Sequence, residues 1–430
     1  MAEEKGSVEQ FGYKQELHRT LSLWDLTVYG LLFMVIIAPH SIFGYVNRDA
    51  QGMAPLVYLV GFCAMFFTAL SYVQMAKRFP IAGSVYSYVQ RGVNPHVGFL
   101  AGWLILLDYV FVPSLLYIFV GNWCQSLIPQ IPGWVWILIF IAVNTAINIK
   151  GIETTARVDM FFFVVEIGIV LIIVIGGLKY VLGGGGAGEL TMTPIYQADK
   201  VNLTFIATAC TIAALNFTGF DGISNLSEET KDAERVIPRA IFLTALIGGM
   251  IFIFATYFLQ LYFPDISRFK DPDASQPEIM LYVAGKAFQV GALIFSTITV
   301  LASGMAAHAG VARLMYVMGR DGVFPKSFFG YVHPKWRTPA MNIILVGAIA
   351  LLAINFDLVM ATALINFGAL VAFTFVNLSV ISQFWIREKR NKTLKDHFQY
   401  LFLPMCGALT VGALWVNLEE SSMVLGLIWA

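Results

Sequence analysis

Long apolar runs separated by short polar stretches dominate the chain. A helix needs about 20 apolar residues to cross the hydrocarbon of a bilayer. On that measure the pattern predicts spans near 24–46, 54–76, 97–124, 132–149, 156–182, 203–226, 238–263, 287–318, 339–354, 356–385 and 398–417. A twelfth run starts at Met423 and reaches only Ala430, too short to cross, so a last helix cut short is expected. Glu3, Glu4, Lys5 and Glu9 ahead of the first run do not give the basic-then-apolar order of a cleaved leader, so the first span is expected to stay in the mature protein.

Composition strengthens this reading. The 430 residues are 58% hydrophobic and 13% charged, with a mean hydropathy of +0.73, more apolar surface than a soluble chain of this length can hide. The expected solvent is the lipid bilayer, and the whole of 1–430 is expected to be one transmembrane unit. Placing the N-terminus in the cytoplasm puts 21 of the 27 basic residues on that side, from Lys5, Lys14 and Arg19 through Lys77, Arg78 and Arg91 to Lys392 and Lys395. Arg48, Lys179, Lys200, Arg268, Lys270 and Lys286 fall outside, the asymmetry expected of a multi-pass protein in a bacterial plasma (inner) membrane. Net charge is zero, which disfavours a nucleic-acid partner. Cys63, Cys124, Cys210 and Cys406 show no disulfide or zinc spacing. The Gly183–Gly186 run lacks a following Lys-Ser/Thr and reads as a connector, not a phosphate loop.

Two spans carry helix-breaking residues at mid-depth, where freed backbone groups must meet protein or a wet cavity. The first reads Ile36-Ile37-Ala38-Pro39-His40-Ser41-Ile42-Phe43-Gly44, the sixth Asn216-Phe217-Thr218-Gly219-Phe220-Asp221-Gly222. Either alone reads as a proline kink or a packing glycine. As the first members of two inverted halves, spans one to five and six to ten, they point to a substrate site at the midplane.

These breaks, with Phe79-Pro80-Ile81-Ala82-Gly83-Ser84-Val85-Tyr86 after span two and Arg313 through Arg320-Asp321-Gly322-Val323-Phe324-Pro325 after span eight, resemble the amino acid–polyamine–organocation superfamily over nearly the whole chain. From about Gly219 onward, including Ser227-Glu228-Glu229-Thr230 and His333-Pro334-Lys335-Trp336, the chain looks closest to bacterial putrescine importers. At the first break those importers carry Phe-Asp-Thr-Phe-Gly, where this chain has Pro39-His40-Ser41-Ile42-Phe43-Gly44. The resemblance implies an all-α, LeuT-like five-plus-five inverted-repeat bundle of about twelve helices with discontinuous helices 1 and 6. Repeat one is expected over about 20–182, repeat two over about 200–385, and accessory helices over about 398–430.

The acids read as deepest are Asp108 in span three, Glu166 in span five and Asp221 at the break of span six. An intramembrane carboxylate marks a pathway by default, and these can hold an ammonium, a proton, or each in turn. The resemblance makes Asp221 the substrate-amine and gating residue, while its position equally suits capping of the second half-helix. Glu166 stands where several amino-acid carriers have a lysine, so it reads as a proton or cation site or as a residue of the helix or lipid boundary. Tyr109, in a segment resembling that of putrescine importers, can offer its ring to an ammonium or can simply pack. His40 and His308 are candidates for proton transfer or for hydrogen-bonded packing. No metal site and no cofactor are expected.

Amino-acid carriers of the superfamily resemble Gly-Ser-Gly at the first break, where bare N–H groups bind the substrate carboxylate. Pro39 removes one such group and adds bulk. The expected substrate is therefore a small cationic amine, putrescine above all, bound by Asp221 with Ala38, Pro39, His40, Ser41, Asp108, Tyr109, Leu215, Asn216, Phe217, Gly219 and Asn366. Glu166 and His308 are the expected coupling residues, and Ser303 serves the alternative of sodium. The chain is expected to be a proton symporter, monomeric or homodimeric, and not an enzyme. The alternatives are a proton- or sodium-coupled amino-acid permease, or an antiporter of the same fold.

Overall fold

The computed structural model describes residues 8–13, 19–151, 155–198, 210–211, 213–265, 267, 269, 275–355, 358–418 and 420–430. Lys5, Lys14, Lys200, Arg268, Lys270 and the predicted start of span six at 203–209 lie outside them. The described chain is almost wholly helical, and the one β-bridge recorded in it joins Leu21 to Thr230. Nine of the described helices are long and apolar enough to cross a membrane. The second to fifth spans run Ala54–Arg78, Pro95–Leu127, Gly133–Lys150 and Thr155–Leu182, and the seventh Ala233–Tyr262. Ala340–Ala350 is shorter and is prolonged by one 3-10 turn. The tenth and eleventh spans, Leu358–Val380 and Leu403–Val416, carry flanking π turns at Ile381–Arg387 and Phe398–Phe402. A final helix, Glu420–Trp429, has 10 residues and is too short to cross.

The helix Ser275–Arg320 is 46 residues long, about twice what a bilayer needs. Ala284 and Gly285 leave helical geometry, Gly285 at φ +79 where only glycine sits without strain, and so divide it into a short segment and the eighth span. The fifth span shows how such helices meet lipid and protein at once. Phe161, Val164, Leu171 and Ile175 recur along its outer side and are half exposed or more, while Glu166, Ile169 and Ile173 are buried. Lipid wets one apolar stripe and the bundle takes the other, so the carboxylate faces inward.

Helices approach closely where side chains vanish, as is usual when lipid provides no hydrophobic drive between them. A Cβ on Gly368 of the tenth span would fall 2.6 Å from the Leu104 carbonyl oxygen and 2.8 Å from the Asp108 nitrogen of the third. This contact holds the third span against the tenth.

Candidate functional site

The first span unwinds. Helix Leu23–Phe33 stops, Met34–Ile37 form turns with Val35 at φ +52, a single helical turn Ala38–Ser41 follows, and Phe43–Asp49 completes the crossing. The break therefore lies four residues ahead of Pro39, which sits in the first turn of the short helix, where a missing N–H costs nothing. The sixth span winds as tight 3-10 turns, Leu215–Phe217 and Phe220–Glu229, interrupted at Thr218 and Gly219. Gly219 has φ +119, and a Cβ there would stand 2.9 Å from the Met34 nitrogen and the Phe33 carbonyl carbon. Only glycine lets the two interruptions touch.

Beside that contact lies an apolar cavity between the first, third, sixth and eighth spans, bounded by Phe33, Ala38, Leu116, Trp123, Leu215 and Val300. Ser41, Asn216 and Thr218 supply its polar edge. Each is engaged: Ser41 Oγ donates to Gln276 Oε1, Asn216 Nδ2 donates to the Tyr58 hydroxyl, and Thr218 Oγ1 donates to the Leu215 carbonyl at 2.8 Å. At the start of the short helix the Ala38 N–H goes to the Val35 carbonyl at 2.7 Å, Pro39 has none, and the His40 N–H goes to the Ile37 carbonyl at 3.0 Å. That helix start offers little to an anion.

Asp221 is fully buried and lies off the cavity wall. The Tyr109 hydroxyl donates to its Oδ2 and the Gly219 N–H to its Oδ1 at 3.1 Å. Ser224 Oγ donates to the Asp221 carbonyl at 2.6 Å, and the Ser84 and Tyr109 hydroxyls lie 3.4 Å apart. So Asp221, second residue of the 3-10 segment, holds the Gly219 N–H at the break and also answers a tyrosine 112 residues away. Among the described residues it has no ion-pair partner. Phe33 separates it from the cavity, with its ring 6.0 Å from that of Tyr109 and its edge filling the place a Cβ on Gly222 would need.

The other acids differ in surroundings. Glu166 is fully buried, and neither carboxylate oxygen closes a hydrogen bond within the described residues. It faces the Thr299 hydroxyl of the eighth span and the Ile36 N–H of the unwound segment. Asp108, 1% exposed, has Oδ1 without a partner and packs behind Gly368, off the cavity wall. Asn366 is buried on the tenth span, also off that wall. Phe217 turns its ring toward Tyr58 and Phe252 instead. Ser303 donates to the Thr299 carbonyl at 3.2 Å, one turn from Glu166's hydroxyl neighbour. His308 stands apart, 2.7 Å from the Ile343 carbonyl and 3.5 Å from the Tyr117 hydroxyl, where it ties the third, eighth and ninth spans. His40 is buried with both ring nitrogens lacking partners among the described residues. No group of three or more described His, Cys, Asp and Glu side chains is placed to hold a metal ion.

At the end of the bundle where basic residues collect, ion pairs and ring contacts join separate spans. Arg313 pairs with Glu229 at 2.7 Å and Arg320 with Glu228 at 3.1 Å. The Tyr86 hydroxyl donates to Asp321 at 3.0 Å, and Arg320 lies 3.9 Å over the Tyr13 ring. From the first and sixth spans the cavity takes residues at or after the first break and up to the sixth, and these ion pairs involve residues after the sixth.

Sequence reasoning missed Phe33, Thr218, Thr299 and the cavity face of the third span. The last had a signal: Val112, Leu116, Phe119 and Trp123 recur every three or four residues, one stripe of a helix.

The family described as amino acid permease matches residues 26–419. The low-affinity putrescine importer PlaP of Escherichia coli (strain K12) is 67% identical over 416 residues, covering 96% of this chain and 92% of that one. A methylthioribose transporter of Bacillus subtilis (strain 168) is 29% identical over 93% of this chain and 88% of its own. The crystal structure of MhsT in complex with L-phenylalanine superposes with a TM-score of 0.64 at 13% identity, over 94% of this chain and 100% of that one, a likeness of fold alone. The resemblance to putrescine importers thus extends through both halves and is not confined to the part after Gly219.

Proposed function

Since the chain belongs to the amino acid permease family, we propose that it is a secondary transporter that imports a small cationic amine, putrescine above all, by proton symport through alternating access. The observation that carries this reading is Asp221, a buried carboxylate with no cationic partner among the described residues, held by Tyr109 at the contact of the two broken spans. The relative named a putrescine importer supports the choice of amine.

A diamine is a short hydrocarbon with a charge at each end. The cavity's apolar walls suit its methylene chain once they part, since the closed space is only about 40 Å³, and Phe33, Trp123 and the Asn216 and Thr218 oxygens suit an ammonium at the near end. The far ammonium needs Asp221, so Phe33 must swing aside, and the Tyr109 hydroxyl then shares the carboxylate with the substrate. A zwitterionic amino acid lacks a match, because the short helix presents few free N–H groups to its carboxylate.

Glu166 supplies the coupling. Its carboxylate touches the unwound first span at Ile36 and the eighth span at Thr299, so the presence of a proton there decides how those two elements meet. The ion pairs of Arg313 and Arg320 close the opposite exit until substrate and proton are both bound. On this reading the basic end faces the cytoplasm of a bacterium and the chain lies in its inner membrane. The two repeats of about 20–182 and 200–385 move against each other around the breaks.

Competition separates this function from its rivals. In proteoliposomes, unlabelled putrescine is expected to block uptake of labelled putrescine at concentrations where zwitterionic amino acids leave it unchanged. Stronger inhibition by the amino acids would make the chain an amino-acid permease.

A further inference from the structure

On the flank of the bundle, far from the cavity, the ends of the second and eleventh spans enclose a groove of about 680 Å³. Lys77, Arg78, Arg390 and Lys395 line it against one acid, Glu234. Glu388 bonds Arg78 and Arg390, each at 2.8 Å, and fixes their guanidinium groups in place. Burial alone would push the Glu388 carboxyl up, but hydrogen bonds from Arg78 and Gln383 and the nearby Arg390 charge outweigh it and hold the group below the usual range. Among the described residues Lys77 and Lys395 have no ion-pair partner, so the groove keeps two uncompensated cations.

The groove continues. Through Gln74, Lys395 and Gln399, which belong to both, it opens into a second hollow of about 270 Å³ whose wall is largely apolar. Leu70, Phe398, Leu403 and Pro404 form that wall. Leu70 lies two helical turns deeper in the second span than Lys77, about 10 Å further toward the middle of the bundle. The Ser71 hydroxyl on this surface already donates to Asn377 at 2.6 Å, so the hollow offers no free polar group there. Phe398, 54% exposed, stands at its rim. The tenth and eleventh spans beside it depart from α-helical winding, with π turns at Ile381–Arg387 and Phe398–Phe402 that bring Phe384, Phe398, Gln399 and Tyr400 to its walls.

We propose that this paired groove is a binding site for an anionic phospholipid, its phosphate-bearing headgroup held by Lys77, Lys395, Arg78 and Arg390 and one acyl chain lying in the hollow beside Leu70 and Leu403. A cationic pocket at the water boundary that runs into a dry slot toward the membrane centre matches the two ends of a lipid. A soluble phosphate matches only the first. The site touches the tenth span's π turn through Phe384 and the second span through Gln74, so an occupant braces two helices that bound the transport bundle.

The test uses the full chain purified in detergent, stripped of lipid and examined by native mass spectrometry with added phosphatidylglycerol, phosphatidylcholine or inorganic phosphate. Phosphatidylglycerol is expected to be retained at least about tenfold more strongly than phosphatidylcholine. The double variant Lys77→Gln/Lys395→Gln is expected to lose about thirtyfold of that retention, each lysine near a membrane surface being worth roughly fivefold. Leu403→Trp, which fills the hollow and leaves the charges, is expected to lower lipid retention as well. Equal retention of the two lipids, or unchanged retention by both variants, would overturn the proposal. Displacement of phosphatidylglycerol by millimolar inorganic phosphate would overturn it too, since the headgroup pocket alone would then account for binding.

Discussion

Replacing Asp221 by asparagine removes one charge and almost no volume. The amide oxygen of the new side chain can still accept the Gly219 N–H now bonded at 3.1 Å, and its NH₂ group can donate to the Tyr109 hydroxyl that presently donates to the acid. The turn after the break is thereby preserved. What is lost is the attraction for an ammonium at contact distance. At 4 Å and an effective dielectric constant near 20 that attraction is about 4 kcal/mol, and a hydrogen bond to a charged group is worth about 1.5–3 kcal/mol net. A loss of roughly 2–4 kcal/mol corresponds to about a 30- to 1000-fold rise in the putrescine concentration for half-maximal uptake. Folding moves the other way, because an unpaired buried charge is costly and its removal does not destabilise. The variant in proteoliposomes is expected to show this loss for labelled putrescine while its thermal midpoint stays level or rises. Putrescine affinity within about threefold of the unsubstituted chain, with the protein intact, would refute the assignment of Asp221 to the substrate and leave it a tie between Gly219 and Tyr109.

Two more outcomes follow from named contacts. Glu166→Gln keeps the shape of the side chain but cannot gain or lose a proton, so it is expected to abolish uptake driven by a pH gradient while exchange of internal for external putrescine persists. Retention of gradient-driven uptake would remove Glu166 from coupling. Gly219→Ala places a Cβ 2.9 Å from the backbone of the first span at a φ of +119. The conformational strain alone is roughly 1–3 kcal/mol, so the thermal midpoint is expected to fall by several degrees, and an unchanged midpoint would mean that the two breaks do not abut.

Much of the architecture was legible because lipid imposes a simple rule: an apolar run of fixed length is a span, whatever surrounds it. The predicted ends of the second to fifth spans fall within a few residues of the helices Ala54–Arg78 to Thr155–Leu182. The sixth break was legible at Gly219, since glycine alone tolerates its φ. The first was displaced, because proline is the conspicuous residue, yet Pro39 is harmless in a first turn while Val35 takes the positive φ. Glu166 could be placed within the membrane from sequence, but its orientation depends on which stripe of the fifth span meets lipid. Ser303 was named for the eighth span and Thr299 is the residue that faces Glu166, four positions away and on the same helical face. Tyr109 and Asp221 were both identified, and nothing in one sequence could show that they bond, because their contact is made by the packing of two separate spans. Phe33 gave no signal at all, being one aromatic among 35 phenylalanines whose position at the break comes entirely from the fold.

Proton entry is expected to drive accumulation of a diamine through this chain alone. Labelled putrescine uptake into sodium-free proteoliposomes, with and without an acid exterior, measures it directly. Concentration of putrescine inside above the external level, appearing only with the pH gradient and lost when a protonophore is added, is the predicted result. Accumulation that ignores the gradient, or that requires sodium, would rule out proton symport.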